Sequence, residues 1–159
     1  MEAYYYQRMS KPQQAAYHAM KTGFSSLSSS FSVPNLENRE LSEIFFKLRL
    51  DCPEIFYVTS FSYRFYPGAD HVELIPEYLF EKNKVKEHQK ALSSRIAKLV
   101  RPAQTLSPLE KEQYIHDFIC QNVRYDKLKK PYSHEIIGPL GQGVSVCEGI
   151  AKTVKILCD

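Results

Sequence analysis

The sequence of 159 residues has no tryptophan, six glycines and four cysteines. The low glycine content excludes a collagen-like chain, and four cysteines are few for a small fold that relies on disulfides. No apolar run approaches the ~20 residues that a membrane-spanning helix needs, so we predict no membrane-spanning role. The polar, Tyr-rich stretch 1–14 also lacks the pattern of a secretory signal. These features leave the cellular compartment unassigned.

The residues that are present are those of a globular protein. Hydrophobic residues make up 43% and charged residues 25% of the chain, which is ordinary for a folded domain. The length allows one domain, or a small domain plus part of another, at the usual ~150 residues per domain. Because eleven tyrosines and nine phenylalanines supply the large side chains, we expect a core in which aromatic packing is prominent.

The positive charge is concentrated in the second half of the chain. Residues 1–80 carry seven basic and nine acidic groups, whereas residues 81–159 carry fourteen basic and nine acidic groups. Much of the excess lies between 81 and 101, either as a nucleic-acid surface or as the solvated face of an amphipathic helix. We favour the helix and predict no nucleic-acid partner, because no recognition motif interleaves the charges. The basic residues are Lys82, Lys84, Lys86, Lys90, Arg95, Lys98 and Arg101.

The four cysteines show no zinc-binding pattern. Cys52, Cys120, Cys147 and Cys158 are separated by 68, 27 and 11 residues, with no C-x-x-C pair and no histidine at zinc-ligand spacing. We therefore predict no structural zinc. Spacing alone leaves the possibility of disulfides open.

The first half of the chain predicts two helices separated by a weak strand. Ser10 begins a capping box with a proline inside it, and the helix that follows should stop near Gly23, a residue type favoured just past a helix end. The serine-rich stretch 25–34 has some strand character. A second helix should begin at Asn38 and end before Pro53.

A hairpin and a basic helix are predicted next. Residues 55–66 alternate with period two, which indicates a strand with one buried face. The turn residues of 67–70 and a shorter apolar run then complete an antiparallel hairpin over 55–78. The basic helix runs from about Glu81 to Val100 and ends at Pro102. The face predicted to be buried in the strand consists of Ile55, Tyr57, Thr59, Phe61, Tyr63 and Phe65.

The last third begins with a second capping box at Ser107, which starts another helix. The stretch 125–143 has two prolines, three glycines and little periodicity, and predicts a long surface connection. A final helix should start near Cys147, with Ile150, Val154 and Leu157 along its inner side. Together these elements predict an α+β fold.

The stretch 141–151 contains the residues best suited to chemistry. Two glycines allow a tight turn before Cys147, which then stands at the start of the final helix. Backbone N–H groups and the helix dipole at such a position stabilise a thiolate, and the same N–H groups can hold the oxyanion of an attacked carbonyl. The alternative is a small cysteine that is simply packed in the core.

The segment from about 107 to 159 resembles the transglutaminase-like superfamily of papain-type thiol enzymes, including its bacterial cysteine proteases. The matching stretches are Y-I-H-D-F-I at 114–119, N-V-R-Y-D at 122–126, G-P-L at 138–140 and G-V-S-V-C-E-G-I-A at 143–151. The resemblance implies Cys147 as a nucleophile acting on peptide or amide bonds of a protein or peptide substrate, by hydrolysis or crosslinking. It implies no metal or organic cofactor. Residues 1–105 would be an N-terminal α+β segment and residues 106–159 the first part of the core.

The chain departs from the family after the cysteine. Members pair the cysteine with a histidine and then an aspartate or asparagine on later strands, but only twelve residues follow Cys147 here. We therefore interpret the chain as a truncated part of a longer enzyme and expect little or no turnover. His134 is the histidine that could fold back near Cys147, against the default of a surface position.

One expectation follows from an incomplete core, and one competing hypothesis remains. Apolar surface left on the last helix would favour association between copies of the chain, giving a possible homo-oligomer. The competing hypothesis to an enzyme is a non-catalytic module that binds a peptide or protein on the same fold, with Cys147 merely packed.

Overall fold

The computed structural model of the protein describes residues 3–159. They form α-helices, a three-stranded antiparallel sheet and a short two-stranded parallel sheet, which confirms the predicted α+β class. The chain divides into two compact units, the first up to Lys82 and the second from Asn83 to Asp159. The sequence-based boundary between 105 and 106, which rests on a family resemblance, stays a prediction. None of the helices described in 3–159 has the length and apolar character needed to span a membrane.

Helix α1 (Lys11–Ser25) begins where the sequence predicts but ends later. At its start the Ser10 backbone N–H donates to Oε1 of Gln13, which is half of the predicted capping box. The helix ends two residues after Gly23, close to the predicted stop, but Gly23 lies inside the helix rather than just past its end. A Cβ at that position would collide with the ring of Phe31. Gly23 therefore serves close packing rather than helix termination.

The end of α1 is made by a residue with a side chain. Leu27 has a φ of 52°, its N–H donates to the Phe24 carbonyl at 3.0 Å, and the Ser28 N–H donates to the Gly23 carbonyl at 3.0 Å. This pair of bonds is a Schellman motif, which usually places glycine at the left-handed position. Burial of the Leu27 side chain explains why a leucine occupies it.

The first unit packs two helices with one sheet. Strands β1 (Phe31–Pro34), β2 (Val58–Phe65) and β3 (His71–Tyr78) form the antiparallel order β1-β3-β2, with Tyr63 opposite Leu74 and Val33 opposite Val72. Helix α2 (Asn38–Asp51) confirms the predicted element. It buries the predicted face, Leu41, Ile44, Phe45 and Leu48.

The predicted hairpin forms, but the predicted buried face of its first strand is only partly correct. Ile55 and Tyr57 are buried, whereas Tyr63 and Phe65 are 43% and 55% exposed. A register irregularity between Val58 and Ser60 interrupts the alternation on which the prediction depended. Strand β2 is also an edge strand in the order β1-β3-β2, and its hydrogen-bonded neighbour is β3.

The second unit begins with two predicted helices. Helix α3 (Lys82–Val100) buries Val85 and Leu92 and leaves its basic residues exposed, as expected for an amphipathic helix. Helix α4 (Pro108–Asn122) starts with the predicted capping box between Ser107 and Glu110. Its most buried residue is Ile115.

The prediction of a surface connection over 125–143 is confirmed for residues 127–131, which are exposed, but it is wrong for residues 135–140. Residues 135–140 are all buried, and the segment contains a 3₁₀ turn over Pro131–His134 and a π-helical turn over Gly138–Gln142. These short turns satisfy backbone hydrogen bonds, but they leave no helical repeat of apolar residues in the sequence. The sequence pattern therefore suggested a loop. This segment instead forms much of the interior of the second unit.

Helix α5 (Cys147–Cys158) forms, but with a different inner face from the one predicted. Val154 is 37% exposed and Ile150 is only half-buried, so of the predicted face only Leu157 is buried. The residues that α5 buries are Gly149, Lys152, Thr153 and Leu157. The apolar pattern was misleading because the interior here accepts Lys152, whose ammonium group is paired with carboxylates, and Thr153 beside it.

Candidate functional site

Cys147 lies at the position that the sequence predicts, in the first turn of α5, and its side chain is exposed. The preceding residue, Val146, is the N-cap; it has extended geometry and provides no side-chain cap. The first intrahelical bond runs from the Ile150 N–H to the Val146 carbonyl at 3.1 Å. The mouth of the helix therefore presents backbone N–H groups beside an accessible thiol.

The carbonyl oxygen of Ser133 anchors the start of α5. It accepts from the Val146 N–H at 3.1 Å and from the Ser145 hydroxyl at 3.1 Å. Gly149 passes close to the same group: a Cβ there would lie closer to the Ser133 oxygen than van der Waals contact allows, and 2.5 Å from Ser145 Oγ. Only a residue without a side chain allows the first turn of α5 to approach this closely.

Two short parallel strands bring the two most specific sequence motifs together. Strand β4 (Arg124–Tyr125) pairs with β5 (Val144–Ser145), and the Asp126 N–H donates to the Ser145 carbonyl at 2.8 Å. The N-V-R-Y-D stretch at 122–126 therefore runs beside the residues that lead into Cys147. The strands fix the direction from which the chain enters α5.

The Asp126 carboxylate organises the loop that follows β4. It accepts from the backbone N–H of Leu128 and Lys130, each at 3.0 Å, and from the Ser133 hydroxyl at 2.5 Å. These bonds lower the pKa of Asp126. The bond from the Ser133 hydroxyl contributes most, followed by the bond from the backbone N–H of Lys130. The bonds to Leu128 and Lys130 form an Asx-type turn, which closes the loop after Asp126.

A buried ion-pair network lies under the start of α5. Lys152 Nζ donates to the two carboxylate oxygens of Glu135 at 2.9 and 3.0 Å, and its side chain is 1% exposed. The same ammonium group lies 2.7 Å from Oε1 of Glu148. Glu148 Oε2 is in turn 3.0 Å from Nδ1 of His134. Because Glu148 follows Cys147 in the chain, this network reaches the mouth of the helix.

The structure does not join His134 to Cys147 by a hydrogen bond. His134 instead forms a hydrogen bond with Glu148, the residue that follows Cys147. Within residues 3–159 the Cys147 thiol is free and has no hydrogen-bond partner. The described site therefore has a nucleophile and backbone donors but no positioned base. Whether Cys147 is catalytic stays a prediction.

A second thiol has a partner that the sequence analysis missed. Cys120 Sγ lies 3.5 Å from Nε2 of His116, and His116 Nδ1 lies 3.0 Å from Oδ1 of Asp117. All three side chains are on the exposed surface of α4 or at its edge. The H-x-x-x-C spacing, one helical turn, is the signal that could have revealed this pair. Cys120 is therefore a rival to Cys147 for thiol reagents.

The other two cysteines are poor nucleophiles. Cys52 is 3% exposed, and burial raises the pKa of its thiol. Burial also raises the pKa of Cys158, near the end of α5. Both shifts disfavour the thiolate, which is the reactive form. Cys147 and Cys120 are therefore the two thiols that merit comparison.

Helices α3, α4 and the end of α5 enclose an apolar groove of about 420 Å³. Its walls include Leu99, Ile115, Phe118 and Leu157. The groove contains the apolar surface expected at the last helix, while association between copies of the chain stays a prediction.

Within residues 3–159 there is no group of three or more histidine, cysteine, aspartate or glutamate side chains arranged to hold a metal ion. No protein-family model matches the chain, and the search of curated proteins gives no match.

Proposed function

We propose that the protein takes part in thiol-dependent acyl transfer on peptide or amide bonds, with Cys147 as the nucleophile. The observation that carries the proposal is the exposed Cys147 thiol in the first turn of α5, where no side chain caps the helix. A thiolate is stabilised at such a position, and the backbone N–H groups beside it suit an oxyanion. No cofactor is needed for this chemistry.

In the proposed step the Cys147 sulfur attacks the substrate carbonyl carbon and a C–S bond forms. The carbonyl oxygen becomes an oxyanion held by N–H groups of the first turn of α5. Collapse of this intermediate breaks the bond to the leaving group and leaves a thioester on the enzyme. Water would then complete hydrolysis, whereas an amine would complete a crosslink.

The juxtaposition of β4 and β5 supports the proposed family. The resemblance to transglutaminase-like enzymes depends on N-V-R-Y-D at 122–126 and on the stretch 143–151, and β4 pairs with β5 so that these stretches are neighbours in space. We accordingly propose that residues 106–159 form the first part of such a core. In that family the histidine and acidic partners follow the cysteine helix.

The geometry around Cys147 limits what the described residues can do alone. Acylation by an activated ester needs only a thiolate and an oxyanion site, because the leaving group departs without a proton. Cleavage of an amide also needs an acid to protonate the leaving amine, and His134 is tied to Glu148 instead. We expect acylation of Cys147 without amide turnover.

A second candidate is a non-catalytic module that binds a peptide or protein. It is favoured by the absence of any hydrogen-bond partner for the Cys147 thiol within the described part of the chain. In that case Cys147 would react with acylating reagents no faster than an ordinary exposed thiol.

The test is a burst experiment with p-nitrophenyl acetate. We expect release of about one equivalent of p-nitrophenolate per protein, with the acetyl group found on Cys147 by peptide mass spectrometry. Cys147→Ser should remove the burst, whereas the matched variant Cys120→Ser, on the other candidate thiol, should leave it intact. A burst that survives Cys147→Ser and disappears with Cys120→Ser would overturn the assignment.

A further inference from the structure

A histidine and a cysteine one turn apart on α4 lie close enough to bind the same metal ion. His116 and Cys120 are four residues apart and therefore share one face of the helix, a spacing with which helices chelate zinc. Nε2 of His116 is 3.5 Å from Sγ of Cys120. The histidine side chain is 67% exposed, and the cysteine is exposed as well. The His116–Cys120 pair is therefore accessible from outside the chain.

The distance between these two atoms agrees with the geometry of a tetrahedral zinc site. Zinc binds a cysteine sulfur at about 2.3 Å and a histidine nitrogen at about 2.0–2.1 Å. At the tetrahedral angle of about 109°, bonds of these lengths place the sulfur and the nitrogen about 3.5 Å apart. The His116–Cys120 pair has this separation. An ion can therefore replace the proton between the two atoms without a large movement of either side chain.

The neighbours of His116 leave the nitrogen that faces the sulfur free to bind a metal. Oδ1 of Asp117 is 3.0 Å from Nδ1 of His116, and it also accepts from Nε2 of Gln113 at 2.7 Å. These bonds, with that of His116 first, lower the pKa of the Asp117 carboxyl group, so it is an ionised acceptor at neutral pH. Nδ1 of the neutral imidazole therefore carries the ring proton, and Nε2 carries the lone pair. Zinc-bound histidines commonly have such a carboxylate on the second ring nitrogen.

The His116–Cys120 pair supplies two of the four ligands that a closed zinc site needs. Within residues 3–159 no group of three or more histidine, cysteine, aspartate or glutamate side chains could hold a metal ion, so the other two ligands have to come from another molecule. A two-fold axis through the ion would bring the same histidine and cysteine from a second copy of the chain. Two thiolates would also balance the charge of one Zn²⁺ ion.

We propose that His116 and Cys120 form half of a zinc site, which the same two residues of a second copy of the chain complete. Each thiol loses its proton to the solvent as the ion binds, and Asp117 is a positioning residue that holds the imidazole. The site revises the prediction of no structural zinc, because that prediction overlooked the H-x-x-x-C spacing. The proposal does not depend on acyl transfer, since it makes no use of Cys147.

The experiment adds Zn²⁺, or Co²⁺ as a coloured substitute, to the reduced protein and measures the sedimenting mass and the bound metal. We expect the mass to double, with one ion bound for every two chains, and to return to its starting value when EDTA removes the metal. Bound Co²⁺ should show the strong visible absorption of a tetrahedral site with sulfur and nitrogen ligands. One ion per chain without a change in mass, or no metal binding, would overturn the proposal.

Variants at exposed positions assign the ligands. Cys120→Ser and His116→Gln should each abolish the metal-dependent doubling of mass, and Asp117→Asn should weaken zinc binding by about tenfold without changing the cobalt absorption. Cys147→Ser removes another exposed thiol and is the first control. His71→Gln is the second, because His71 also contacts a neighbouring aspartate, at 2.9 Å. Both controls should bind zinc like the wild type. Zinc binding that survives Cys120→Ser but is lost in either control would refute the proposed ligands.

Discussion

The two units of the protein differ in what their interiors contain. Among the described residues, eighteen buried hydrophobic side chains lie in the first unit and nine in the second, whereas one buried polar side chain lies in the first and six in the second. The first unit is held mainly by aromatic and aliphatic packing. The second depends on pairs such as Glu135–Lys152 and Asp126–Ser133.

This difference in the buried side chains matters for the candidate site, because the buried polar pairs lie in the unit that contains Cys147. A packed apolar core gains stability from area removed from water, but it places no charged group near a site. Buried polar pairs cost desolvation and depend on geometry. In the second unit they lie directly under the helix that begins with Cys147. We infer that they fix the mouth of α5.

The largest expected effect comes from breaking the buried ion pair of the second unit. Lys152→Met leaves the buried Glu135 carboxylate without its cation, and we expect a loss of about 4 kcal/mol in the free energy of unfolding. Urea denaturation measures this loss. Lys155→Met is the matched control, because its partner Asp159 lies one turn away at the exposed end of the same helix and should cost less than about 0.5 kcal/mol.

The double variant Glu135→Leu/Lys152→Met sharpens the same comparison. Removing both charges removes the unpaired carboxylate, so most of the lost stability should return. If the double variant is no more stable than Lys152→Met alone, the ion pair is not what holds this unit.

Shortening a buried side chain in the core of the first unit should have a slightly smaller effect, and its cause is lost packing rather than an unpaired charge. Leu48 is fully buried on α2, and Leu48→Ala should cost about 3 kcal/mol through lost burial and a cavity. Leu109, which is 76% exposed, is the control, and Leu109→Ala should change the unfolding free energy by less than about 0.5 kcal/mol. Similar losses for both variants in urea denaturation would contradict the assigned burial.

A methyl group at Gly149 tests the close approach beneath α5. Alanine normally favours a helix over glycine by about 1 kcal/mol. Here its Cβ would collide with the Ser133 carbonyl oxygen and Ser145 Oγ, so Gly149→Ala should instead cost about 2 kcal/mol. Gly141→Ala is the control, since its Cβ would meet only an Ile137 side-chain carbon at 3.3 Å. Thermal unfolding distinguishes them, and a stabilised Gly149→Ala would refute the close approach.

The smallest effect is a pH dependence in the first unit. The Tyr78 hydroxyl donates to the Ser28 carbonyl at 2.6 Å, and burial, followed by the neighbouring Tyr57, raises the pKa of Tyr78 to about 12. A raised pKa contributes stability that is present below the unfolded value of about 10 and is lost as the pH rises toward 12. Tyr78→Phe should therefore cost about 1 kcal/mol near neutral pH.

That difference between the wild type and Tyr78→Phe should shrink above about pH 10 and reverse in sign before about pH 12, when urea denaturation is repeated over this range, because ionisation of Tyr78 then costs the folded wild type more than the lost hydrogen bond costs the variant. Tyr17 is present in both proteins, so its own titration cancels. A difference that stays constant with pH would mean that the Tyr78 hydroxyl is not buried in the folded state.

Local signals in the sequence were sufficient for helix starts and the hairpin. The capping residues Ser10 and Ser107 and the Pro67–Gly68 turn act within a few residues, so their effects are visible in the sequence. Gly23 was misinterpreted because its role depends on Phe31 in the following strand. The start of α5 at Cys147 has no side-chain cap, and it was predicted instead from the turn-forming glycines that precede it.

The interior of the second unit was not predictable in this way. A lysine such as Lys152 is normally predicted at the surface, and its burial depends on Glu135, seventeen residues earlier, together with Glu148, one turn before it. Periodicity counts apolar residues, so it selected Val154 rather than Thr153 as the inward position on α5. The segment 135–140 was missed since its π-helical turn has no sequence period. Long-range polar pairing therefore limits prediction in the region that supports the candidate site.

The most direct test compares the alkylation rate of each cysteine in the folded protein with its rate in a matching unstructured peptide. Iodoacetamide labelling at about pH 7, read by peptide mass spectrometry, gives both rates. We predict that Cys147 reacts severalfold faster in the folded protein than in the peptide spanning 141–153, because its exposed sulfur lies in the first turn of α5, where no side chain caps the helix, while Cys52, which is buried, reacts far more slowly when folded. A Cys147 rate no higher in the folded protein than in the peptide would contradict the account.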